Sequence, residues 1–434
     1  MKTSKYNFIF KFEDGWYAYN SLSDRFIMLS SAVSEALQKN ELSHIEQKGL
    51  ENLKEGKFIL PQALDETQYV ISNHEKALRK TTYHLTLMPT LDCNVSCWYC
   101  FEKRVDHSRM NKVIQDAVVK HIENVFQTKP ETEKLLVELF GGEPLLHFEE
   151  DVFPLLTQIK NLAEKKGKSL LLLFATNGLC LNERIIHMLQ PFQSSFQISI
   201  DGYKRKHDSI KKIRGQKEVS SYDTVMKNIA LLLAGISHTR INLRINYDNN
   251  TLKHIGEVVD SIRDLPRNRI QIHLERVWQT QSDIPADNSR FKEAMELFHT
   301  QGFKVTYLNF FTRGYSCKAS RKDQVAISYN GSVYKCTGRD FTSDLKEGVL
   351  RTDGTIRWDV EKLNQRLSIK TYDHELCREC KMLPQCYGPC SQKWIEIARK
   401  DKTVTDVCQL NKLEISLEEY IRYRLKSLLN RIHI

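Results

Sequence analysis

Eleven cysteines stand in this 434-residue chain, and ten of them fall into two groups whose spacing suits metal binding. The first, Cys93-x3-Cys97-x2-Cys100, places three thiols within eight residues. Three thiolates can grip one face of a metal centre and leave a coordination position open, whereas a structural zinc site normally closes with four ligands. The trio therefore points to an open catalytic centre, and iron–sulfur clusters use cysteine at such short spacings. The second group is Cys317-x13-Gly331-x4-Cys336, followed by Cys377-x2-Cys380-x5-Cys386-x3-Cys390 and then Cys408. On spacing alone, Cys377, Cys380, Cys386 and Cys390 could close one tetrahedral zinc site, so zinc stays beside iron–sulfur as a reading. Cys180 fits neither group and reads as a small buried apolar side chain. The first residues lack the pattern of an export signal, so a reducing, cytoplasmic setting is expected, in which clustered cysteines mean metal or catalysis rather than disulfides.

The first trio directly follows an apolar run at residues 83–88. Further strand-like runs occur at 135–140, 170–174, 196–200, 241–245 and 270–274, and helical patterns at 114–125, 152–165, 185–189, 225–233 and 255–262 alternate with them. Such alternation implies an α/β fold with parallel strands and right-handed crossovers. Six units are too few for a closed eight-fold barrel, so a partial (β/α)6 barrel is expected over residues 82–304, with Cys93 at the strand end where barrel enzymes keep their chemistry. Residues 1–75 differ. They predict strands at 6–12 and 15–19 joined through Asp14-Gly15, a third at 25–29, and helices at 31–37 and 42–55 ending at Gly56, a winged-helix-like module. Residues 305–410 predict a hairpin around Asn330-Gly331, then a loop-rich, cysteine-rich domain whose core is too small to hold without bound metal. Residues 411–434 predict a closing amphipathic helix.

The motif Cys93-x3-Cys97-x-Tyr99-Cys100 resembles the signature of the radical S-adenosylmethionine (SAM) enzymes. Other strand ends agree. Gly141-Gly142-Glu143-Pro144 is similar to the family's GGEP motif, and Thr176-Asn177-Gly178, Ser199-Ile-Asp201-Gly202 with His207-Asp208, and Arg244-Ile-Asn246 are similar to its later strand ends. The resemblance implies a 4Fe–4S cluster on Cys93, Cys97 and Cys100, with the fourth iron binding the amine and carboxylate of SAM. An electron from the cluster would then release a 5′-deoxyadenosyl radical. It further implies that Gly141, Gly142 and Glu143 hold the methionine amino group, that Tyr99 lies against the adenine, and that Ser199 reaches the ribose or carboxylate. The family often has Arg twelve residues after this serine. Here Lys211 stands there, which can pair with a carboxylate but cannot fork around it, and which can equally be a solvated helix lysine.

All seven cysteines of the second group match the SPASM extension of peptide-modifying radical enzymes. The match implies two auxiliary 4Fe–4S clusters, the first on Cys317, Cys336 and Cys390 and the second on Cys377, Cys380, Cys386 and Cys408. The first is completed either by a non-cysteine ligand or by substrate at an open iron. Three clusters, SAM and an electron donor such as flavodoxin or ferredoxin follow.

Residues 1–75 more loosely resemble the peptide-recognition domains of enzymes that mature ribosomal peptides, which implies a precursor peptide held by its leader as an added strand. The expected function is thus a peptide maturase that abstracts hydrogen from a precursor residue and installs a thioether, a carbon–carbon crosslink or a related modification. Two other readings remain open: a sulfatase-maturing enzyme forming formylglycine, and a catalytically inactive leader-peptide-binding protein. Sulfatase-maturing members carry Asp directly after the cysteine matching Cys336. Here that place is Thr337, leaving Asp340 as the candidate proton acceptor. Sixty-four Lys+Arg against fifty-four Asp+Glu give +10 without a basic block, and no apolar run approaches the roughly 20 residues of a membrane span, so neither nucleic acid nor membrane is expected as a partner.

Overall fold

The alternating residues after Tyr6 pair as expected. In the computed structural model, which describes residues 1–77, 81–216, 218–283, 288–307, 317–400 and 402–432, contacts divide the chain into two compact units.

The first unit joins Met1–Arg79 and Asn309–Ser320 to Ser368–Ile434. Its strands are β1 (Lys2–Thr3), β2 (Asn7–Phe12), β3 (Gly15–Asn20), β4 (Arg25–Leu29) and β5 (Ile59–Leu60). β1 pairs antiparallel with β5, and β2, β3 and β4 form an antiparallel meander in that order. Helix Ser31–Lys39 begins where the Ser30 side chain accepts the Val33 N–H. Together with helix Gln47–Glu55 it buries Leu37 and Leu53 against Ala18, Leu29 and Phe58. A helix over Glu66–Ala77, absent from the sequence expectation, carries Val70 and Ile71 into a cluster with Tyr6, Tyr372, Leu383 and Tyr387. Polar bonds follow the same line: Gln385 Nε2 donates to Ser21 O at 2.5 Å and Lys381 Nζ to Asn7 O at 3.1 Å. The last helix, Leu417–Ile432, reaches the sheet through Arg424, which bonds Asp24 at 2.8 Å.

The second unit joins Lys80–Leu308 to Arg321–Leu367. Its strands are β6 (Thr82–Met88), β7 (Lys134–Leu139), β8 (Ser169–Thr176), β9 (Ser194–Ile200), β10 (Arg240–Tyr247), β11 (Ile270–Arg276), β12 (Lys304–Tyr307), β13 (Gln324–Ser328), β14 (Ser332–Tyr334), β15 (Gly348–Leu350) and β16 (Ile356–Trp358). β6 to β11 are the six expected strands, parallel and in chain order. The sheet is larger than expected at both ends. β12 adds in parallel to β11, and β13 of the predicted hairpin adds in parallel to β6. Residues 304–307 are too short to show a period, and the hairpin's first strand is apolar enough to be buried along its whole length. The segment expected as one domain over 305–410 is thus divided between the two units, and its residues 308–316 and 401 lie outside the described ones. Side chains from β7 through β12 line one common cavity, so the sheet curls around its own face. No helix among the described residues is long and apolar enough to cross a membrane.

Candidate active site

At the C-terminal ends of β8 to β11 a cleft of about 410 Å³ opens, and Cys93, Cys97 and Cys100 all line it. The loop that carries them is fixed at its base by Asp92, whose Oδ1 accepts the Cys93 N–H at 2.8 Å and whose Oδ2 accepts the His107 N–H at 2.9 Å. Burial holds the Cys93 thiol up at about 12 and Cys97 at about 11. Metal must therefore displace protons to bind there. Gly142 packs directly beneath this loop. A Cβ at that position would lie 2.1 Å from the Asp92 carbonyl oxygen, so only glycine allows the two backbones to meet. Glu143 is fully buried and does not line the cleft. Its carboxyl accepts from Thr176 Oγ1 (2.7 Å), Asn177 N (2.9 Å) and Leu145 N (3.1 Å), tying the turn after β7 to the end of β8, while burial raises its pKa.

Across the cleft, Lys211 is 2% exposed, which sets aside the solvated-lysine reading. Its Nζ donates to Ser199 O at 2.5 Å and Ser199 Oγ at 2.6 Å and stands 3.6 Å from Asp201 Oδ2. Asp201 Oδ1 accepts the Tyr99 hydroxyl and Asn246 Nδ2, leaving Oδ2 buried without a hydrogen bond. Tyr99, Ser199 and Lys211 all line the cleft, as do three residues the sequence reading did not assign: Arg244, Glu275 and Trp278. Glu275 immediately follows the predicted strand, and its position at a strand's end was the available signal. Burial opposes its charge, but a hydrogen bond with His273 and the Arg244 guanidinium keep its pKa below the usual carboxylate range.

Three thiols, a backbone cradle that admits no side chain and a cation beside an unsatisfied carboxylate oxygen fit a cluster with a charged, polar ligand. Residues 87–243, from β6 into β10, match the radical SAM superfamily. Those residues form a radical SAM domain. This radical SAM protein is 22% identical over 368 residues to the radical SAM cyclopropyl synthase TigE of Paramaledivibacter caminithermalis, spanning 75% of this chain and 72% of TigE. It is also 22% identical over 368 residues to the cysteine-type anaerobic sulfatase-maturating enzyme of Clostridium perfringens, spanning 78% of this chain and 95% of that enzyme. Among solved structures, anSMEcpe with bound AdoMet superposes with a TM-score of 0.57 at 17% identity, over 80% of this chain and 99% of its own. SuiB of Streptococcus suis bound to precursor peptide SuiA superposes with a TM-score of 0.52 at 14% identity, over 94% of this chain and 100% of its own. At such identities the superpositions speak for a shared fold.

The radical SAM unit places Asp340 outside the cleft lining, where its Oδ1 accepts the Lys103 N–H at 3.0 Å, while Thr337 and Gly338 do line it. Cys180 is half-buried rather than buried, and its sulfur accepts Asn94 Nδ2 at 3.4 Å. Cys336 is buried on the turn after β14, which Glu347 pins by accepting the Lys335 N–H at 2.7 Å and Arg366 Nε at 2.5 Å. In the first unit, Cys377, Cys380, Cys386 and Cys408 line a single cavity of about 230 Å³. Cys390 stands apart from it, and a hydrogen bond with Cys317 lowers its thiol pKa. Gly388, with φ of +82°, brings the chain against Thr371, whose carbonyl oxygen would lie 2.0 Å from a Cβ there. No three His, Cys, Asp or Glu side chains among the described residues converge closely enough for a single ion.

Proposed function

We propose that this radical SAM enzyme is a maturase of a ribosomal precursor peptide, in which it installs a crosslink, a thioether or a carbon–carbon bond. Cys93, Cys97 and Cys100 hold the SAM-binding 4Fe–4S cluster, with Gly141 and Gly142 giving it backbone room, Glu143 bracing that turn, and Tyr99, Ser199 and Lys211 facing the cofactor. SAM bound there supplies, on one-electron reduction, the radical that takes a hydrogen atom from the peptide. Cys377, Cys380, Cys386 and Cys408 around their cavity support one auxiliary cluster, and the Cys317–Cys390 contact supports a second.

The observation that carries the peptide assignment is the outer edge of β4, which pairs with no further strand among the described residues. Tyr6 O bonds Ser21 N, so even-numbered positions of β2 face β3, and the outward carbonyls of Asn7 and Lys11 are taken by Lys381 and Arg422. By the alternation of an antiparallel ladder, residues 25, 27 and 29 of β4 pair with β3, and Phe26 and Met28 point their backbone groups outward. Met28 is 70% exposed. A leader peptide added there gains main-chain hydrogen bonds and raises the effective concentration of its core segment at the cleft. SuiB, solved with its precursor peptide, spans more of this chain than anSMEcpe does, which favours this reading over formylglycine formation. So does Thr337 at the place where sulfatase-maturing members carry Asp.

The test is the intact mass of the short peptide encoded beside this gene after anoxic co-expression. Loss of two hydrogens supports the crosslink. Unchanged mass, with no epimerisation in deuterated water, refutes it. Met28→Pro removes one outward N–H while sparing the β3 ladder, and is expected to weaken leader binding about tenfold without changing SAM cleavage.

A further inference from the structure

Barrels of parallel strands ordinarily fill their interior with layers of branched apolar side chains. Here the alternate positions of β11 on the cavity side are Gln271, His273 and Glu275. Glu275 lines the catalytic cleft. Gln271 lines a second cavity of about 450 Å³ at the N-terminal ends of β9 to β12. His273, 4% exposed, lies between them. A line of hydrogen bonds runs back from the cleft through His273. Glu275 Oε2 meets His273 Nε2 at 3.0 Å, His273 Nδ1 meets Thr306 Oγ1 at 3.0 Å, and Gln271 Nε2 donates to the same Thr306 oxygen at 3.2 Å. Imidazole can accept at one ring nitrogen while donating from the other, and the Thr306 hydroxyl donates onward to Ile272 O at 3.2 Å, so the line ends inside the sheet.

We propose that Glu275 accepts the proton released when the peptide is modified, and that the His273 imidazole behind it takes that proton on and frees the carboxylate. The proposal rests on the maturase reading above. Crosslinking removes two hydrogens from the peptide. One leaves as an atom in the abstraction step. Closing the new bond between the carbon radical and an X–H group then releases one proton and one electron. The electron goes to an iron–sulfur cluster acting as one-electron acceptor, and the proton needs a base in the cleft.

The other carboxyl groups near the cleft are committed elsewhere. Glu143 accepts three bonds and does not line the cleft, Asp201 accepts the Tyr99 hydroxyl, and Asp340 caps the Lys103 N–H outside it. Glu102 lines the cleft, but its Oε2 is buried with no partner through which a proton could move on. Glu275 has the His273 imidazole behind it to take the proton on. Arg244 Nη2, 4.0 Å from Glu275 Oε1, keeps the acceptor ionised before the proton arrives.

The experiment uses the holoenzyme with the precursor peptide deuterated at the reacting carbon. In Glu275→Gln, deuterium transfer into 5′-deoxyadenosine should persist within about twofold of wild type. Product per 5′-deoxyadenosine should fall about a hundredfold, the scale of a lost acid–base group, and freeze-quenched samples should show an accumulating carbon radical by electron paramagnetic resonance. His273→Asn, whose amide cannot take up a proton, should lower the same ratio about tenfold with the same radical signal. A wild-type ratio in Glu275→Gln overturns the proposal. So does loss of deuterium transfer in a variant with wild-type iron content, since a base of the second half-reaction acts only after abstraction. A wild-type ratio in His273→Asn overturns the role given to His273. A wild-type enzyme that makes no 5′-deoxyadenosine sinks the maturase reading itself.

Discussion

Beneath the cysteine loop, Gly142 leaves no room for even a methyl group, because the Asp92 carbonyl occupies the place of a Cβ. Gly142→Ala must push the loop off the turn after β7, and we expect SAM affinity to fall at least about tenfold with the fold retained, read by equilibrium binding under anoxia. Lys211 carries a different burden. Removing its charge in Lys211→Met leaves Asp201 buried opposite no cation, a change that typically costs about 3 kcal/mol, read as the shift in urea midpoint against wild type. At this scale the sequence was informative where spacing encodes chemistry. Cys93, Cys97, Cys100, Tyr99 and Ser199 meet in one cleft, as their motifs imply. It was less informative where a residue's partners decide its role. Lys211 reads equally as ligand or as solvated surface until Ser199 and Asp201 are seen around it, and Asp340 reads as a base until its bond to Lys103 is seen.

Among the elements, the parallel strands were legible because buried strands are continuous apolar runs between helices of regular length. Helix Glu66–Ala77 was not, since Tyr69, Val70 and Ile71 are adjacent rather than spaced along one face. Tertiary contact fixes it. His74, on this helix, stacks on Tyr387 with ring centroids 4.0 Å apart and has its Nδ1 buried without a partner. Burial lowers its pKa to about 4 from the ordinary 6.5. A histidine whose folded pKa is depressed contributes stability that is complete above 6.5 and is lost as pH falls towards 4. His74→Phe keeps the stacking and removes the titration. The variant should therefore gain on the order of 2 kcal/mol over wild type between pH 7 and pH 5, measured as the difference in urea midpoints at the two pH values.

At the scale of the whole molecule, the division into units changes what a truncation means. The N-terminal sheet and helix Glu66–Ala77 share a core with Tyr372, Leu383 and Tyr387, beside Cys377, Cys380 and Cys386. Deleting residues 1–75 should thus strip apolar cover and the Ser21 contact from the second cysteine group as well as remove the β4 edge. We expect iron to fall towards about four per chain, the content of the SAM-binding cluster alone, measured by iron and sulfide analysis. Lost leader binding in such a deletion says little about recognition, which is why Met28→Pro is the cleaner probe. The same shared core sets an order of events during synthesis. Tyr6, Val70 and Ile71 leave the ribosome roughly 300 residues ahead of the partners that cover them, an interval of about 15 to 60 s at ordinary elongation rates. Throughout that time the barrel is being made while the first unit waits half-built, so the cavity around Cys377 and Cys408 comes together only after the barrel is complete. A ribosome that stalls inside the barrel releases a chain with no second cysteine site to load.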